Sequence, residues 1–146
     1  MNTPMEDRKL AAILSIDLVG YSSLMRKDEG GTLTRLRDVR EEVIGPIVKT
    51  GYGRIFKTLG DGLLIEFGSV SDSVQCALDI QAGVADWNKS AKGSGSLAFR
   101  IGINLADVIP DADDLLGDGV NIAARIEALA EPSGICISGA VYDQVK

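Results

Sequence analysis

The stretch RIFKTLGDGLLIEF, residues 54–67, decides how this chain folds. Two apolar runs, 55–59 and 63–67, have the length and composition of strands, and Gly60-Asp61-Gly62 between them supplies the positive-φ residues that a tight reversal needs. The segment reads as a β-hairpin. An aspartate at such a tip stands on a fixed backbone and can aim its carboxylate at a cation or a partner. Asp-Gly is also ordinary hairpin chemistry, so the residues alone support both readings.

Outward from the hairpin the chain alternates in period. Upstream, Leu33, Leu36, Val39, Val43, Ile47 and Val48 fall near i, i+3, i+7 spacing and predict an amphipathic helix. Arg35, Arg37, Asp38, Arg40, Glu41 and Glu42 form its solvated face. Pro46 is expected to bend that helix or end its regular part. Further upstream, LAAILSI at 10–16 is a nearly continuous apolar run, as for a central strand covered on both faces, and it runs into Asp17. Asp17 then serves either as a turn or cap residue or as a carboxylate at a strand end. The turn Val19-Gly20-Tyr21 behind it has backbone amides that can face an anion.

Downstream, Ser69 and Asp72 make a capping pair for a helix over 70–87, with Val70, Val74, Ala77, Leu78, Gln81 and Val84 as its buried stripe. NKSAKGSGS at 88–96 is a flexible connection. Residues 97–109 alternate as a long strand, an acidic turn follows, VNIAARIEALAEP is a third helix, and GICIS at 134–138 is a last strand. Strand, helix, strand, strand, helix, strand, helix, strand predicts an α+β fold. It is a ferredoxin-like βαββαβ sandwich, with helices packed on one face of a mainly antiparallel sheet.

A chain of 146 residues is expected to be one domain with a core that needs no disulfide. Its two cysteines, Cys76 and Cys136, lie in apolar segments without CxxC spacing and read as buried thiols in a reducing compartment. The absence of histidine removes imidazole bases and His metal sites. A net charge of -6 argues against nucleic acid as a partner. No apolar run reaches membrane-spanning length and the start MNTPMEDRK carries no signal-peptide core. The expectation is a cytoplasmic domain without membrane contact.

Two constellations can carry chemistry. Neighbouring sheet ends would bring Asp17 and Asp61 to a shared divalent site of the kind that suits magnesium or manganese. Asn121 and Arg125, at i, i+4 on the third helix, share one face and can orient a ribose and neutralise phosphoryl charge, although a solvent-facing pair is the plainer reading of the spacing.

Four stretches in order, SIDLVGYSSL, RIFKTLGDGLLIEF, FRIGINLADVI and DDLLGDGVNIAARIEALAEPSGICIS, resemble the class III nucleotidyl cyclase catalytic domain. With the connecting helices they cover nearly the whole chain. The resemblance implies an adenylyl cyclase that makes 3′,5′-cyclic AMP and pyrophosphate from ATP with two divalent cations, Mg or Mn. Asp17, Asp61 and the Leu18 carbonyl match its metal ligands, and Val19, Gly20 and Tyr21 its phosphate-facing turn. Lys57 and Asp114 match the pair that reads adenine, where guanylyl cyclases carry glutamate and cysteine. Asn121 matches the ribose-orienting asparagine and Arg125 the transition-state arginine. The resemblance further implies a head-to-tail homodimer with sites shared between chains, coupled or fused to a regulatory domain.

The sequence departs from the family at three points. The family continues past 135–138 into a hairpin with a phosphate-binding lysine, whereas this sequence stops at Lys146, so a weakly active or inactive nucleotide-binding and dimerisation module is the alternative. A guanylyl cyclase is a further one, while a diguanylate cyclase would need a GGDEF-type signature that is absent. Ala106 stands where glycine is usual, which is expected to tighten the backbone, and Asn104 replaces a frequent histidine.

Overall fold

A computed structural model describes residues 7–90 and 95–146. The chain runs β1 (Lys9–Leu18), α1 (Tyr21–Lys27), α2 (Glu29–Val39), a π-helical turn (Arg40–Ile44), α3 (Gly45–Thr50), β2 (Arg54–Leu59) and β3 (Gly62–Phe67). It continues with α4 (Val70–Ser90), β4 (Phe99–Asp111), β5 (Asp114–Leu116), α5 (Asp118–Ala128), β6 (Ile135–Ile137) and α6 (Gly139–Val145). One sheet has the order β2-β3-β1-β4-β5, antiparallel throughout, with β6 pairing parallel to β4. The expected ferredoxin-like α+β architecture is present. α1, β5 and α6 are short elements that periodicity does not reveal. The expected signal-free start and the 88–96 connection fall partly at 1–6 and 91–94, outside the described residues, and α4 reaches Ser90 rather than 87.

β1 is central, which explains its continuous apolar run. Ala12, Leu14, Ile16 and Leu18 face the helical layer with Val39, Ile44, Ala77 and Ile80, while Ala11 and Ile13 face the other side with Ala106, Val108, Val120 and Ala123. Both faces are therefore covered. The expectation of helices on one face holds for α2, α3, α4 and α6. α5 lies across the sheet from them, and Gly102 lets it come down close onto β4: a Cβ there would be 2.2 Å from the Glu127 backbone nitrogen.

At Pro46, expected to bend the helix or to end its regular part, the regular α-helix gives way to the π turn just before the proline and the chain stays helical to Thr50; in that turn the Gly45 amide donates to the Arg40 carbonyl. Proline has no N–H, and its ring crowds the carbonyl four residues back. A turn widened by one residue absorbs both problems. Within these helices the buried positions are Thr32, Leu36, Val39, Val43, Ile44 and Val48, and Leu33 is exposed. On α4 they are Ser73, Cys76, Ala77, Ile80 and Val84. Leu78 faces solvent, and half-buried Gln81 ties the helix to the Phe99 and Gly134 carbonyls at 3.1 and 3.0 Å. The expected cap is present, with the Asp72 amide donating to Ser69 Oγ at 3.2 Å.

Ala106 finds room because residue 119 is glycine: a Cβ at Gly119 would lie 2.2 Å from that of Ala106. Asn104 Nδ2 donates to the Gly119 carbonyl at 3.0 Å and so fastens the start of α5 to β4. Both cysteines are free. Cys76 is buried, with burial pushing its thiol up to about 12, whereas Cys136 is only half-buried, in correction of the two-buried-thiol reading. Among the described residues, no helix is long and apolar enough to cross a membrane.

Candidate active site

Asp17 is the penultimate residue of β1 and lies opposite Arg100 on β4. Asp61 occupies the turn between Leu59 and Gly62, and its Oδ2 accepts from the Leu18 amide at 2.9 Å. The hairpin thus folds its tip back onto the end of β1. Of its two glycines, Gly60 takes the expected positive φ, at 58°. Gly62 serves differently: a Cβ there would lie 3.1 Å from the Ile16 carbonyl oxygen and 3.4 Å from the Asp17 Cβ, so glycine is what lets the two strands close on each other.

Asp17, Asp61 and Asn121 line one cleft of ≈ 170 Å³ together with Ser15, Ala124 and Glu127. Arg125 is exposed and does not line it. The Val19 amide donates to the Ala98 carbonyl at 2.8 Å and is not free for an anion. Gly20, left-handed at φ 70°, and Tyr21 remain at the N-terminus of α1. A wider cavity of ≈ 400 Å³ lies on the helical layer beside Ile47, Thr50 and Cys76 and contains none of these residues.

Lys57 Nζ and an Asp114 carboxylate oxygen form an ion pair at 3.0 Å, so these two are brought together as well. The pair owes its position to a β-bulge. Ile55 pairs with Ile65 but Lys57 pairs with Leu64, which leaves Phe56 as the extra residue and moves Lys57 to the sheet face of Leu64 and α5. Arg54 Nη1 also donates to the Asp113 carbonyl at 3.0 Å, tying β2 to the turn that carries Asp114. The Lys57 ammonium, followed by the Leu115 amide, holds the Asp114 carboxyl below the usual range.

Three neighbours, Glu127, Ser15 and Arg40, are not among the candidate site residues that the sequence offers. Glu127 on α5 is 5% exposed and accepts from Ser15 Oγ at 3.4 Å. Burial, followed by its hydrogen bond with Asp17 and the repulsion between them, pushes Glu127 up to about 8; Ser15 and Arg100 oppose the rise. Burial also raises Asp17, opposed by the Glu127 hydrogen bond, reinforced by Asp61 and opposed again by Arg100. A charged residue in the phase of Val120 and Ala123, at i, i+3, i+7, was the available sequence signal. The third is Arg40, which is half-buried rather than fully solvated and donates from Nη2 to the Gly60 carbonyl at 3.2 Å.

The Glu127 shift has a testable sign. Its pKa in the folded chain lies above the ordinary value of 4.5, so its stabilising share is complete below about 4.5 and drains as pH rises toward 8. In metal-free buffer, the melting temperature of Glu127→Gln minus that of the parent should grow from about pH 5 to about pH 8. A difference that stays flat across this window removes the assignment.

Among the described residues, no group of three or more His, Cys, Asp or Glu side chains is placed to hold a metal by itself. Asp17 and Asp61 are the two aspartates that line the cleft. The fold is the ferredoxin-like cyclase fold: the structure of an adenylate/guanylate cyclase/hydrolase from Silicibacter pomeroyi superposes with a TM-score of 0.83 at 39% identity, covering 94% of this chain and 80% of that one. "Putative adenylate cyclase 3" of Rhizobium meliloti (strain 1021) is 47% identical over 138 residues, 94% of this chain and 24% of that protein. An adenylate cyclase of Glutamicibacter nicotianae is 32% identical over 82% of this chain and 28% of its own length. The family model for the adenylate and guanylate cyclase catalytic domain matches residues 3–146. The chain belongs to that family. It spans only 24% and 28% of these two relatives.

Proposed function

We propose that residues 1–146 form the catalytic domain of a longer adenylyl cyclase, which converts ATP to 3′,5′-cyclic AMP and pyrophosphate at sites shared across a head-to-tail homodimer. The observation that carries this reading is the placement of Asp17 and Asp61 at one cleft while Arg125 of the same chain stands exposed outside it. A cleft of one protomer then takes its arginine from the partner.

The carboxylate pair fits divalent ions, since the repulsion from Asp61 that helps raise Asp17 is what a dication would relieve. Asp17, Asp61 and the Leu18 carbonyl would hold two Mg or Mn ions, which supply Lewis-acid charge at the α-phosphate and activate the ribose 3′-hydroxyl. Lys57 donates to the purine N1 and Asp114 accepts from the exocyclic amine, a polarity that suits adenine and opposes guanine. Their ion pair holds the two side chains side by side. Asn121 orients the ribose. Gly20 and Tyr21 present amides to the phosphates. As the 3′-oxygen bonds to the α-phosphorus and the bond to the β-phosphate oxygen breaks, Arg125 neutralises charge on the α-phosphoryl oxygens. With no histidine in the chain, the 3′-proton goes to substrate phosphate, water or a carboxylate.

The test is product analysis by mass spectrometry with the full-length protein and MnATP or MnGTP, with cyclic AMP expected. Binding without turnover, or cyclic GMP as the main product, overturns the reading. The shared site has its own test. Mixing equal amounts of Asp61→Ala and Arg125→Ala chains, each inactive alone, should restore about a quarter of the parent rate, because half of the dimers are mixed and each carries one intact site. A mixture as inactive as its components excludes sharing.

A further inference from the structure

Arg40 is the first residue of the π turn, and it crosses from the helical layer to the hairpin tip, where Nη2 donates to the Gly60 carbonyl at 3.2 Å. We propose that Arg40 is a positioning residue that fixes the backbone of the β2–β3 turn, and through it the aim of Asp61. The proposal rests on the reading of Asp61 as a metal ligand.

Three features support it. Gly60 holds a left-handed backbone at φ 58°, a conformation that the turn must maintain for Asp61 to reach the Leu18 amide at 2.9 Å. That amide grips the Asp61 carboxylate, and Arg40 grips the peptide just before it, so the residue is held on both sides. Second, the guanidinium is kept there at a cost: Nε is buried without an acceptor, and burial works against the charge while Asp61 and Tyr21 favour it. A leucine or lysine would suit an ordinary helix position as well, without this cost. Third, the reach depends on the widened turn that accommodates Pro46. Gly45 belongs to that geometry, since a Cβ on it would lie 3.0 Å from the Arg40 carbonyl oxygen.

Positioning is distinguishable from a purely electrostatic role. A bare positive charge near Asp61 repels a divalent ion, so its removal would tighten metal binding. Loss of a positioning contact loosens the tip and weakens binding. In the full-length protein, Arg40→Ala should raise amide hydrogen exchange at Leu18, whose acceptor is Asp61, and at Gly60, Asp61 and Gly62 about tenfold, with exchange in the rest of β1 and in α4 unchanged. It should weaken nucleotide-free Mn²⁺ binding, read by electron paramagnetic resonance, by a similar factor, and lower kcat more than it raises KM. Arg40→Lys keeps the charge and lacks the planar fork, and is expected to behave like Arg40→Ala. Arg40→Gln, tested the same way, carries the experiment if the alanine variant does not fold.

Unchanged exchange at the tip, tighter Mn²⁺ binding, or full recovery by lysine overturns the proposal. If the parent binds no Mn²⁺, the metal reading of Asp61 fails, while exchange at Gly60 to Gly62 still decides whether Arg40 holds the turn.

Discussion

Asp61→Asn is expected to lower cyclic AMP formation at least about a hundredfold while leaving the fold in place. The asparagine keeps a side-chain oxygen for the Leu18 amide, which Asp61 accepts at 2.9 Å, and removes only the negative charge. Asp61→Ala removes both. It leaves the Leu18 amide without its acceptor and should cost about 1–3 kcal/mol of stability in addition to activity. The pair of variants therefore separates chemistry from architecture at one position. Steady-state turnover with MnATP and thermal unfolding, measured on both, provide the comparison. An Asp61→Asn protein that turns over like the parent would sink the metal-ligand assignment.

The largest expected effect on stability lies at a residue that touches no substrate. At Gly102 an added Cβ would stand 2.2 Å from the Glu127 nitrogen, 2.5 Å from its Cα and 2.8 Å from the Ala123 carbonyl oxygen. All three are backbone atoms of α5, so no side chain can rotate aside. The helix has to lift from the sheet and take Asn121, Arg125 and Glu127 with it. Gly102→Ala should cost about 3 kcal/mol, at the upper end of overpacking penalties, which for a chain of this size lowers the melting temperature by about 10 °C. Gly68, where an added Cβ would meet nothing within 4 Å, is the control and should tolerate alanine. A Gly102→Ala protein that melts with the parent would show that α5 does not need this approach.

The hairpin at 54–67, the central strand ending in Asp17, and the helical spacing of Asn121 and Arg125 are all legible in the sequence because each rests on local rules. Turn glycines, apolar runs and the 3.6-residue period need no distant partner. The short elements α1, β5 and α6 escape. β5 is held by its pairing with β4 and by Arg54 across from it, and three residues carry too little pattern to announce a strand. The extent of the helix at Pro46 is hidden because a π turn looks like any other helical stretch in one dimension.

The sequence by itself therefore determined the order of the elements and the types of chemical group available at their ends. Only the tertiary structure decided which of those groups meet. The bulge at Phe56 puts Lys57 on the face where Asp114 waits, and without it the alternation along β2 would have sent the lysine to the other side. Gly102 lets α5 lie close against β4, and that approach sets Glu127 against Asp17 from opposite ends of the chain. Arg40 reads as one more surface charge until the widened turn carries it to Gly60. Such contacts depend on register, twist and close backbone approach between segments far apart in the chain, and no local periodicity encodes them.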